Sequence, residues 1–186
     1  MIDSGLILVV EIQACLKAQQ SRAYAQKVAI SSFQQKARSL AYIQSHGIGT
    51  LEKLKSACED AEKLYHEKSE ELRQTRQKLT SVNEQIHFLG QYLSGKKTYT
   101  DFLSAPDKAQ FRSEHREEID NYEAARTRLR EMFPDRTFPQ IQTLKKERDR
   151  LQQAIVHQKT ELKPVSNQRN TLRIVERNVQ SIFEDQ

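Results

Sequence analysis

An all-α protein is predicted, built as a long antiparallel coiled-coil hairpin with a small helical tip and a short N-terminal helical segment. Three observations predict it. The 186 residues include only 5 Gly and 4 Pro, too little punctuation for the many turns of a β sandwich or barrel. Apolar residues make up 37% and charged residues 30%, which fits half-solvated helices better than the thick core of a large enzyme. Two long stretches repeat apolar residues at alternating spacings of three and four, the heptad mark of a coiled coil.

The N-terminal segment, residues 1–49, reads as short helices. Leu6, Val9, Val10, Ile12 and Leu16 share one broad apolar face. Ser31 with Gln34 three residues later is a capping-box pattern. Phe33, Ala37, Leu40 and Ile43 follow at helical spacing, and Gly47 is placed to stop that helix in the left-handed region. The start on a hydrophobic helix suggests a piece of a longer protein.

Thr50 can cap the first arm, residues 50–94. Its seam runs Leu51, Leu54, Cys58, Ala61, Tyr65, Lys68, Leu72, Thr75, Leu79, Val82, Ile86, Leu89 and Leu93, with only Lys68 and Thr75 breaking the apolar character. At about 1.5 Å per residue the arm is a rod of roughly 65 Å. The second arm, residues 138–186, has Thr137 as its expected cap and Pro139 in its first turn. Its seam is Ile141, Leu144, Arg148, Leu151, Ile155, Gln158, Leu162 and Val165, restarting at Gln168, Leu172, Val175, Val179 and Ile182. The two consecutive threes at 162, 165 and 168 are a stammer lying on Pro164, so a bend or break is expected there. Between the arms, residues 95–137 carry Tyr99, Phe102, Leu103, Phe111, Ile119, Tyr122, Leu129 and Phe133. They predict a small tip whose aromatics pack on the ends of the rods, with Ser104 and Ser113 as caps and Pro134 as a breaker.

The stretch GQYLSGKKT, Gly90 to Thr98, nearly spells a phosphate-binding loop, with Lys97 where the magnesium-binding hydroxyl belongs. Such a loop needs a strand before it and a helix after it. The seam instead runs straight into it, so Gly95 is expected to end the first arm as a left-handed cap, with Lys96 and Lys97 beside the negative end of the helix dipole. Glu84 and His87 match half of a di-iron motif whose second half is missing, and Glu114, His115, Glu117 and Glu118 read as a solvated face. Cys15 and Cys58 are isolated, which signals neither a zinc site nor a disulfide framework. No catalytic residue, metal site or cofactor is assigned. The apolar run Leu6–Val10 is too short to span a membrane, and a cytoplasmic location is the default expectation.

The basic residues are the best functional candidates, since the net charge of +5 is unevenly spread and residues 138–183 alone carry an excess of five cations. Lys145, Lys146 and Arg150, then Arg169, Arg173 and Arg177, form a broken stripe that can track phosphates. Antiparallel pairing would also place Arg169–Arg177 near Glu59, Asp60 and Glu62, and ion pairing there is the favoured expectation for them. Lys96, Lys97, Arg126, Arg128 and Arg130 form a second basic group on the tip.

Several segments together carry a family resemblance: LVVEIQACLKAQ, FQQKARSLAYIQSHGI, GKKTYTDFLSAPDKAQFRSEHREEIDNYEAARTRLRE and FPQIQTLKKERDRLQQ. In pattern and order, from about Leu6 to the C-terminus, the chain resembles the helical region that follows the nuclease domain in conjugative relaxases, the mobilisation proteins of Gram-positive integrative elements. Relaxases nick one DNA strand with a tyrosine and a histidine-held metal, and then escort that strand. The resemblance implies that those elements belong to an upstream domain, so no nuclease residue is carried over. It implies a non-catalytic accessory module that contacts DNA, relaxosome or transfer-machinery proteins. The alternative is a purely structural spacer, or a dimerisation coiled coil that recruits a second copy.

Overall fold

The computed structural model describes residues 27–184. The expected helix on Leu6–Leu16 lies outside them. Among the described residues there are five α-helices and no strand: α1 (Lys27–Ser45), α2 (Leu51–Ser104), α3 (Lys108–Glu114), α4 (Arg116–Met132) and α5 (Ile141–Glu184). Helices α2 and α5 pack against each other as an all-α hairpin. None of the five is long and apolar enough to cross a membrane.

The chain divides into two compact units. The first comprises the described residues up to 70 and from 159 onward, so it holds α1, the start of α2 and the end of α5. Ile43, Leu54, Val179 and Ile182 are fully buried there, with Ile48, Ala61, Leu172 and Val175 around them. The link from α1 to α2 is set by short-range chemistry. Gly47 takes φ +63°, Ile48 N–H bonds to Ile43 O at 3.0 Å, and Gly47 N–H bonds to Gln44 O at 3.3 Å. That pair of bonds is a Schellman stop, and it turns Ile48 back onto Ile43 in the core. Thr50 then caps α2, its Oγ1 accepting from Lys53 N–H at 3.1 Å. Thr50→Ala should cost about 1 kcal/mol, whereas Thr50→Ser should be near neutral. Denaturant midpoints of the two variants check this, and equal midpoints would mean that the cap contributes nothing.

The second unit, residues 71–158, holds the rest of α2 and α5 together with α3 and α4. Leu89, Leu129 and Leu144 form its core with Ile86, Tyr92, Phe138 and Ile141 packed on them. Helix α4 lays Ile119, Tyr122, Ala125 and Leu129 inward at i, i+3, i+6 and i+10, a single face of a helix. The aromatics of the tip form a chain of contacts. Tyr122 stacks on Tyr92 at 5.0 Å and on Tyr99 at 4.4 Å, and Phe102, Phe111 and His115 continue it outward.

Four local expectations are corrected. Helix α2 does not end at Gly95 but continues to Ser104, because Gly95 is a point of contact and not a stop. A Cβ there would lie 2.9 Å from Tyr122 Cβ and 3.4 Å from Glu118 O, so only glycine lets α4 come this close. Helix α5 passes through Pro164 unbroken, and its seam steps regularly through Leu162, Val165 and Arg169 while Gln168 is exposed. The consecutive threes fall instead at Arg169, Leu172 and Val175, clear of the proline. Four expected caps are replaced. The chain is already helical at Ser31, Asp107 caps α3 by accepting from Ala109 and Gln110 N–H, and α5 starts at Ile141 after Gln140, not at Thr137. Ser113 lies inside α3, and His115 holds the N-cap position of α4. Leu93 leaves the seam and is half exposed, since α5 has only begun where Ile141 and Leu144 meet Leu89 one turn earlier.

Candidate nucleic-acid interface

The stretch that nearly spells a phosphate-binding loop is helix throughout: Gly90–Thr98 lies inside α2, where backbone amides bond to the preceding turn and cannot converge on a phosphate. Lys96 and Lys97 therefore sit on an exposed helix surface. Among the described residues no three His, Cys, Asp or Glu side chains are grouped to hold a metal ion. His115 pairs with Glu118 at 3.7 Å, and Thr98 Oγ1 donates to the same carboxylate at 2.9 Å, tying α2 to α4.

Cys58 is half-buried against the core of the first unit. Burial, and next the Glu176 carboxylate, push its thiol from 9.0 up to about 11. The thiol is thus protonated and unreactive near neutrality. A raised folded-state pKa means that the associated stability is fully present below the unfolded thiol's value and is lost as pH rises through about 11. At pH 8, alkylation of Cys58 should be about a hundredfold slower in the folded chain than in urea, following the thiolate fraction. Peptide mass spectrometry separates Cys58 from Cys15, and equal rates would contradict the packed position.

The predicted basic stripe on α5 splits into two chemically different parts. Arg169 and Arg173 both reach Glu62 of α2, at 3.9 and 2.8 Å, so the expected interhelical pairing occurs, with Glu62 as the shared acceptor. Arg169 is 16% exposed and lies over the Tyr65 ring at 3.6 Å from its centroid. A guanidinium at a seam position is accommodated by stacking on an aromatic face and pairing at the edge. These two side chains hold the hairpin together and are not free for phosphate. Arg177 faces α1 instead, where it and Arg38 line a groove beside the bond from Asn178 Nδ2–H to Ser39 Oγ at 2.9 Å.

The second unit holds six of the sequence-marked cations without a carboxylate partner. Among the described residues Lys96, Lys97, Arg126, Arg130, Lys145 and Lys146 have no carboxylate within 4 Å, whereas Arg112 is held by Asp120 and Glu123, and Arg128 by Glu131. Arg150 meets Glu147 only at 3.8 Å and is 82% exposed, a pairing too loose to hold it. Arg126 lies beside Tyr122, whose phenol is raised by burial and by Tyr92 and lowered slightly by that guanidinium. Six of the ten candidate cations thus stand unpaired on one unit. The sequence pattern missed both the Arg169–Tyr65 stack, which the three-four rhythm continued past Val165 would have reached, and Arg38, which no periodicity marks.

Comparison with protein-family models, curated proteins and solved structures finds no match to this chain.

Proposed function

We propose that this chain is a non-catalytic helical module of a DNA-mobilisation protein, contacting nucleic-acid phosphates with the second unit. The observation that carries this reading is the set of cations without a carboxylate partner among the described residues, Lys96, Lys97, Arg126, Arg130, Lys145 and Lys146, in contrast to Arg169 and Arg173, which both bond Glu62. An unpaired surface cation gains most from a phosphate, because it breaks no existing pair and releases a condensed counterion. The ordered resemblance of the chain to the helical region of conjugative relaxases supports DNA mobilisation as its setting, with relaxosome or transfer-machinery proteins as further partners. Labelled duplex and single-stranded DNA titrated at low salt should give a clear rise in anisotropy that moderate salt reduces. A flat titration at low salt would rule the reading out.

A second reading, dimerisation, is favoured by one observation. Leu93, Lys96, Thr100 and Leu103 recur on one exposed face of α2 at spacings of three and four, and Leu93 and Leu103 are each at least half exposed. Sedimentation velocity separates the readings, and a monomer over a wide concentration range excludes the second.

A further inference from the structure

The groove between α1 and α5, in the first unit, measures about 550 Å³. It runs from Gln35 to Tyr42 on α1 and from Thr171 to Asn178 on α5, about two turns of each helix. Val175 is buried and Ile174 is 52% exposed, so an apolar strip runs from wall to rim. Arg38 joins it from α1 and Arg177 from α5, and neither has a carboxylate within 4 Å among the described residues. Nothing in the DNA-binding reading uses these residues.

We propose that this groove docks an amphipathic helix of a partner protein whose apolar stripe is flanked by Asp or Glu. A channel between two packed helices is the seat a third helix takes when its ridge of side chains enters, and anchors at i, i+3, i+4 and i+7 match a groove two turns long. The exposed Ile174 side chain gains apolar cover from leucine or isoleucine and not from a sugar-phosphate backbone. Two unpaired guanidiniums, one contributed by each helix, select the sign of the flanking charges by complementarity.

The test uses the full chain and a labelled helical peptide with leucines at i, i+3, i+4 and i+7 and glutamates beside them, compared with its lysine counterpart. The glutamate peptide is expected to bind about tenfold tighter, the product of two exposed ion pairs. The variant Arg38→Glu/Arg177→Glu should reverse that order, and Ile174→Asp should weaken both peptides while Ile174→Leu retains binding. Both arginines are exposed, so the fold survives the reversal and circular dichroism verifies it. The proposal is overturned if the two peptides bind alike or if charge reversal leaves their order unchanged. It is also overturned if the reversal removes oligonucleotide binding or converts a dimer to a monomer, which would assign the groove to nucleic acid or to a second copy. Neutralising Lys145 and Lys146 leaves peptide binding intact, so failure of the DNA reading and failure of this one are separable.

Discussion

Gly95→Leu is expected to destabilise the second unit by about 3 kcal/mol or to force α4 off α2. The cause is overpacking at a helix contact. The Cβ alone would stand 2.9 Å from Tyr122 Cβ, an atom fixed to the α4 backbone that cannot swing aside, and Glu118 O is 3.4 Å away. Leucine adds three more carbons in the space occupied by the Tyr92–Tyr122–Tyr99 stack. Gly95→Ala is expected to be milder, because alanine's gain of about 1 kcal/mol in helix propensity offsets part of the clash. Gly90 is the internal control: nothing lies within 4 Å of its would-be Cβ, so Gly90→Ala should stabilise by about 0.5–1 kcal/mol. Urea midpoints that move in opposite directions for Gly95→Leu and Gly90→Ala would bear this out. A stable Gly95→Leu protein with its near-ultraviolet tyrosine signal intact would contradict the contact.

Leu54→Ala should cost about 2–5 kcal/mol, and Leu93→Ala less than about 1 kcal/mol. Both leucines lie on the three-four seam of α2 in the sequence. Leu54 is 0% exposed, surrounded by Ile43, Val179 and Ile182, so truncation leaves a cavity that the three packed helices cannot close. Leu93 is 50% exposed and loses only partial burial. Equal costs from chemical denaturation would mean that the seam extends unbroken to Leu93, against the start of α5 at Ile141.

The arms were legible because one physical signal repeats. Leu54, Ala61, Leu72 and Leu89 are buried where the three-four rhythm places them, and the rhythm encodes a stripe that only a second helix can cover. Gly47 and Thr50 were legible because a left-handed stop and an N-terminal cap are local, decided within a few residues. Gly95 was not. Glycine serves both as a helix stop and as a close-approach residue, and the deciding neighbour, Tyr122, comes from another helix. Pro164 misled for a related reason. It lies on the exposed side of α5 while Leu162, Val165 and Arg169 hold the helix to its seam, and the cost of one missing donor does not outweigh that packing. For the candidate site, the sequence marked which cations exist, but not which are already spent. That distinction depends on Glu62 standing opposite Arg173 at 2.8 Å and on Tyr65 lying under Arg169.

The central claim is that the unpaired cations of the second unit, and not the paired arginines of α5, meet nucleic acid. The salt dependence of duplex DNA affinity tests it most directly, since log K falls with log salt by about 0.9 for each phosphate neutralised. Two variants are compared with the parent chain, one with Lys96, Lys97, Arg126, Arg130, Lys145 and Lys146 changed to Gln, the other with Arg169 and Arg173 changed to Gln. The first set is expected to flatten the slope, and the second to leave it unchanged after correction for lost stability. An unchanged slope in the first variant, or a flattened one only in the second, would contradict the claim.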